Sequence, residues 1–253
     1  MRIIRSIGWI IASMILVIAI WDGVAHITNS PLMPTARNIG KVLPKVIINK
    51  DTYLHLIASI ILVLKGFGLS IIIALPTSIL CFRLKIYSRI VLPSHEFIRY
   101  IPVPAFVPLC AVLFGIGDLT KVILIFIGTY FQLVFIFISD FLTTPKEFEE
   151  SARTLGLKGL KLIYKITIPA SLSNLLNTVR ITFAWAWSYL LVAEVVNATR
   201  GIGYLVIQSY RVLNMERLVV LLIVIGIFGI LTDNILKFAR ITICPWLKND
   251  KKK

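Results

Sequence analysis

Thr143-Thr144-Pro145-Lys146-Glu147-Phe148-Glu149-Glu150-Ser151-Ala152-Arg153-Thr154-Leu155-Gly156, followed nine residues later by Ile166-Thr167-Ile168-Pro169, separates two long apolar runs. It reads as a short helix held out between two membrane segments. Thr143 and Thr144 can cap free amides, and Pro145 suits a first helical position. Glu147, Glu149 and Glu150 lie in the first turns, where the helix dipole favours acid. Gly156 is the natural stop just past Leu155, because Gly tolerates the left-handed conformation at a helix end. A basic amphipathic piece follows, with Lys158, Lys161 and Lys165 along one face and Leu157, Leu160 and Tyr164 along another. It is expected to lie at the membrane surface, with Pro169 separating it from the next span.

The rest of the chain supports a membrane setting. Of 253 residues 58% are apolar and only 15% charged, with mean hydropathy +0.89. Soluble domains run near half apolar with about a quarter charged. The expected fold is therefore all-α: one polytopic domain over residues 1–253, with the loop 143–169 inside it. A net charge of +15 would suggest nucleic acid in a soluble protein. Here the Lys and Arg residues stand at the ends of apolar runs, so membrane lipid is the expected partner and nucleic acid is not. Cys81, Cys110 and Cys244 lie in or near apolar segments without paired spacing, and read as small buried hydrophobes.

Six spans can be drawn: about Ile7–Ile27, Leu56–Phe82, Ile101–Ile116, Val122–Phe141, Leu175–Ala198 and Leu218–Phe238. Helices are the default in lipid, since each segment must satisfy its own backbone. A barrel would need alternating segments of about 10 residues, and none occur. The first run follows Arg2 and Arg5 in the manner of a signal peptide, but no convincing small-x-small cleavage site of the Ala-x-Ala kind follows it, so it is read as a retained span. With both ends cytoplasmic, inside segments carry sixteen Lys and Arg and outside segments eight. That bias favours this orientation and makes the Glu150–Pro169 loop cytoplasmic.

Charges inside the membrane are costly and usually face a cavity or a partner. Glu194, near the outer end of the fifth span, reads as a pathway or gate residue, or as half of a structural ion pair. Arg180 is fourteen residues away, ~21 Å along a helix, too far to be its partner. It is expected to snorkel. Trp185, Trp187 and Tyr189 are close enough along that span to line a pore or to form a packing stripe. Pro102, Pro104 and Pro108 break the third span just after Arg99, which fits irregular backbone lining an enclosed pathway. The candidate pathway set is Glu194, Arg99, Pro102, Pro104, Trp185 and Tyr189. No Gly-x-x-x-x-Gly-Lys-Ser/Thr loop, HExxH or Cys/His cluster is present, so the sequence offers no catalytic or metal site. His26, His55 and His95 are assigned no role.

Glu150, Ala152, Gly156, Ile166 and Pro169 fall at the positions of the "EAA" loop of permease subunits from binding-protein-dependent ABC importers, which this stretch resembles. Ser151 replaces the middle Ala and Ile168 replaces Leu. Ile98-Arg99-Tyr100-Ile101-Pro102-Val103-Pro104-Ala105-Phe106-Val107-Pro108-Leu109 is similar to a segment of the nitrate/sulfonate/taurine-type permeases, with Tyr100 where Pro is usual. Phe114–Gly117 and Ala193–Gly203 resemble further stretches of that group. The resemblance implies a type I ABC importer permease fold of about six spans in a bacterial inner membrane. It implies that Glu147, Glu149, Glu150, Ser151, Ala152, Arg153, Leu155 and Gly156 dock a separate ATPase subunit. It also implies a second permease copy and an external substrate-binding protein as partners. The chain itself would need no cofactor, ATP and magnesium being held by the ATPase. A secondary transporter or channel working alone is the alternative, and a membrane enzyme a weaker one.

Overall fold

The computed structural model describes residues 2–30, 32–197 and 199–247. The Lys251–Lys253 tail and Ala198, the expected end of the fifth span, lie outside the described residues. The described chain is helical, with α1 (Arg2–Thr28), α2 (Ala36–Ile48), α3 (Lys50–Arg83), α4 (Lys85–Arg99), α5 (Val103–Phe114), α6 (Asp118–Leu142) and α7 (Lys146–Thr154). A short α8 (Leu160–Leu162) runs through a π-helical turn (Ile163–Thr167) into α9 (Ile168–Asn197), and α10 (Ile202–Arg211) and α11 (Met215–Ile243) complete the chain.

A helix stands at each of the six expected runs. Among the described residues α3, α6 and α11 are each long and apolar enough to cross a bilayer. α9 has the length, at 30 residues, but its interior carries Asn174, Asn177, Arg180 and Glu194, so it needs protein or water beside it.

The third span is broken, as its prolines suggested, but only at Pro102: Pro104 and Pro108 lie within the continuous helix α5. α4 and α5 meet at 102° across Tyr100–Pro102. Pro102 has no N–H to continue a helix and pushes Ile101 out of helical geometry. The 12 residues of α5 reach only ~18 Å, short of the ~30 Å hydrocarbon core. The segment is one broken span or a re-entrant element, and it begins upstream of the expected Ile101, with α4.

Pro169 also behaves differently. It does not separate the basic piece from the fifth span, because helical backbone runs without a break from Leu160 to Asn197. A proline inside a helix removes one hydrogen bond and crowds the carbonyl four residues earlier. The π turn just ahead takes up the mismatch: the Ile168 N–H bonds to Ile163 O, five residues back.

The core lies where α3, α6 and α9 meet, through Val63, Phe67, Ile125, Leu133, Phe137, Ala186 and Leu190. Gly66 allows the approach, since a Cβ there would sit 2.7 Å from Ile125 Cβ. A buried Ser70–Thr129 bond of 2.6 Å ties α3 to α6 at the same level. Outside this core α1 and α11 expose mostly apolar side chains, as helices bathed in lipid do. Cys81, Cys110 and Cys244 are free and buried, in keeping with their reading as small hydrophobes.

Candidate functional site

Three arrangements along α9 hold the residues singled out in the sequence. The first is the loop before it. α7 ends in a Schellman stop: Gly156 N–H bonds to Arg153 O at 3.0 Å, and Leu157 N–H to Ala152 O at 3.0 Å. Gly156 has φ +81, the left-handed conformation expected of it. The stop turns the chain so that one side of α7 faces inward. Ala152, 3% exposed, is buried there. Glu149 also turns inward, and its Oε1 accepts from Thr167 Oγ1 at 3.2 Å. Glu147, Glu150, Ser151, Arg153 and Gly156 are exposed, as is Leu155 at 82%. Ala152 and Glu149 thus seat α7 on the rest of the chain. The sequence reading missed Phe148, which is 56% exposed. It stands seven residues before Leu155 and therefore on the same helical face, and that spacing was the available signal.

The second arrangement is a cavity of about 270 Å³ at the break between α4 and α5. Arg99, Pro102, Pro104 and Tyr189 all line it, so four of the six candidate pathway residues converge. Gln132 and Gly128 supply the α6 wall. Gln132 Nε2 donates to Tyr189 Oη at 3.3 Å. The Tyr189 ring lies so close over Gly128 that any side chain there would overlap it. The Arg99 guanidinium sits 4.6 Å from the Phe135 ring centroid and 3.6 Å from Glu96, while its Nε is buried without a hydrogen-bond partner. Trp185 and Glu194 are not among the cavity's lining residues. Trp187 is buried and packs edge-on against Phe228 of α11.

The third is a clamp at the far end of α9. Glu194, 1% exposed, accepts from Ser59 Oγ of α3 at 2.7 Å and from Gly203 N–H of α10 at 2.7 Å. Ile202 N–H donates to Ser59 Oγ at 2.8 Å and Gly201 N–H to His55 Nδ1 at 2.9 Å. Three successive amides at the start of α10, ordinarily without partners, are thereby satisfied by side chains from α3 and α9. Gly201 has φ +122, and a Cβ at that position would run into the Glu194 carboxylate. Beside the clamp Arg200 pairs with Asp118, which also takes Lys121 at 3.2 Å. The hydrogen-bond partners of Glu194 are thus a hydroxyl and an amide rather than the cation of a structural ion pair. Arg180 has a partner within the chain. It bonds Asp233 of α11 at 2.6 Å, which neutralises two charges that would otherwise stand within membrane helices.

Comparison with known proteins places this geometry in context. Residues 66–239 match the family described as binding-protein-dependent transport system inner membrane component. A putative ABC transporter permease protein of Methanocaldococcus jannaschii is 30% identical over 239 residues, covering 92% of this chain and 90% of that one. A putative aliphatic sulfonates transport permease protein of Bacillus subtilis is 26% identical over 246 residues, covering 96% and 89%. Among solved structures, an amino acid ABC transporter superposes with a TM-score of 0.65 at 16% identity, over 74% of this chain and 92% of that one. That likeness concerns the fold.

Proposed function

The chain belongs to the family of binding-protein-dependent transport system inner membrane components, and on that premise we propose how it works as the permease subunit of an ABC importer. α7 is the element that docks a separate ATPase subunit. Two copies of the chain enclose one pathway, both chain ends are cytoplasmic, and an external binding protein delivers the solute. Nucleotide and magnesium are held by the ATPase, and this chain contributes no hydrolytic group. ATP draws the two α7 helices together, the spans rock to an outward-open state, and hydrolysis resets them. Arg99, Pro102, Pro104 and Tyr189 face the moving solute from the cavity at the α4–α5 break. Following the cargo named for the Bacillus subtilis relative, the solute is small and carries an anionic group that Arg99 can meet.

The observation that carries this reading is the exposed face of α7. A nine-residue helix is anchored on one side by Ala152 and Glu149. Phe148 and Leu155 stand exposed at the edges of that contact, and Glu147, Glu150 and Ser151 are exposed around the rest of the helix. Exposed apolar residues and exposed acid together, on a short helix outside the spanning helices, suit a protein partner. A transporter acting alone has no use for such a face.

Co-purification with the ATPase tests it. Glu150→Lys reverses charge on the free face and leaves the Ala152 anchor intact. It is expected to reduce recovery of the ATPase at least tenfold, a loss of about 1.4 kcal/mol or more in docking, at unchanged abundance in the membrane. Collapse of abundance instead would mean that Glu150 holds the fold and that the docking surface lies elsewhere.

A further inference from the structure

We propose that Thr167 and Glu149 form the joint through which movement of α7 reaches α9, and that the π turn leading into Thr167 is its movable part. The inference rests on α7 being the ATPase-docking helix. Thr167 is fully buried and ends the π turn. Its hydroxyl donates to Glu149 at 3.2 Å, so the inward side of α7 is bonded to the first turn of the helix that carries Tyr189 and Glu194. Glu149 is not packed solid. It borders a cavity of about 210 Å³, with Arg83 and Arg153 also on its walls, so its carboxylate has room to travel.

The π turn has two hydrogen-bonded arrangements within reach. In this structure Ile168 N–H bonds to Ile163 O. One residue along, Tyr164 O is the acceptor an ordinary α-helix would use. Pro169 favours the wider form by crowding the carbonyl of Lys165 and offering no N–H. A switch between the two changes the twist across the turn and so turns the α7–α8 side relative to α9. An element with two discrete arrangements, contacted by both ends of the path, is what coupling between distant sites requires. Here one end is α7, through Glu149, and the other is α9, with Tyr189 on the cavity. Glu149 and Thr167 are therefore positioning residues, and neither needs to touch the solute.

The test uses the assembled complex, permease with its ATPase, in liposomes, and measures ATP hydrolysis with and without the binding protein. Thr167→Val keeps the shape and removes the hydroxyl, and a buried Thr167 cannot contact the ATPase. ATPase recovery should stay at the wild-type level, while stimulation by the binding protein falls roughly five- to tenfold, the lower range of ordinary coupling effects. Thr167→Ser, which restores the hydroxyl, should return most of the stimulation. Unchanged stimulation in Thr167→Val overturns the joint. Equal losses in Thr167→Val and Thr167→Ser also overturn it, because packing rather than the hydroxyl would then matter. If the wild-type permease retains no ATPase, the docking reading falls and takes the joint with it.

Discussion

Two carboxylates flank α9, and they are held in opposite ways. Glu149, at the π-turn end, has one hydroxyl donor and borders an open cavity. Glu194, near the other end, is fully buried, with a hydroxyl and a backbone amide bonded to it. A buried carboxylate with both oxygens bonded makes a rigid junction, since moving it would strand donors in an apolar interior. A half-exposed carboxylate with one bond can exchange partners at little cost. The same helix is thus fastened at one end and jointed at the other, and substitutions should separate the two behaviours.

The largest effect is expected at the fastened end. Gly201→Val combines a left-handed backbone with a side chain driven into Glu194, and should cost about 3 kcal/mol or more. The thermal midpoint of the purified protein should drop, with poor recovery from membranes. A midpoint like wild type would mean that the Gly201–Gly203 segment is not clasped by Glu194 at all.

Gly128→Ala comes next. Its methyl would overlap the Tyr189 ring, shift that ring over the cavity and strain its bond to Gln132. A loss of roughly 1–3 kcal/mol is expected, and transport should fall further than stability if Tyr189 faces the solute. Parallel losses would confine Tyr189 to packing.

Glu194→Gln is a sharper probe with a smaller effect. An amide nitrogen would confront either the Gly203 N–H or the Ser59 hydroxyl, costing about 1–2 kcal/mol. Transport should track the amount of folded protein. Full thermal stability with transport abolished would give Glu194 a direct part in the pathway and break the contrast with Glu149.

The smallest change in stability belongs to the free face of α7. Phe148→Ser together with Leu155→Ser should leave stability within ~0.5 kcal/mol of wild type, because both side chains are exposed. Recovery of the ATPase should nevertheless drop. Intact docking in this variant would move the contact to the Glu147 and Arg153 flanks.

Much of the molecule follows from local chemistry that a sequence carries. Apolar runs near the length of a bilayer had to become helices, because lipid offers no other partner for the backbone. Gly156 had to end α7, because a left-handed residue was needed there and Gly adopts it at no steric cost. The family pattern from Glu150 to Pro169 rests on residue types at fixed spacing, and so does the convergence of Arg99, Pro102 and Pro104, which lie within a few residues of one another.

Tertiary structure decided what depends on neighbours distant along the chain. Ser59 lies 135 residues from the Glu194 carboxylate it caps, and Asp233 lies 53 residues from Arg180. No spacing rule reaches across such intervals. Glu149 and Glu150 are adjacent and chemically equal, yet the packing of Ala152 turns one inward to Thr167 and leaves the other outside. Pro169 was legible as a helix breaker. It became part of a continuous helix because the π turn before it accommodates the ring. Local propensity names the available conformations, and burial against the rest of the chain selects among them.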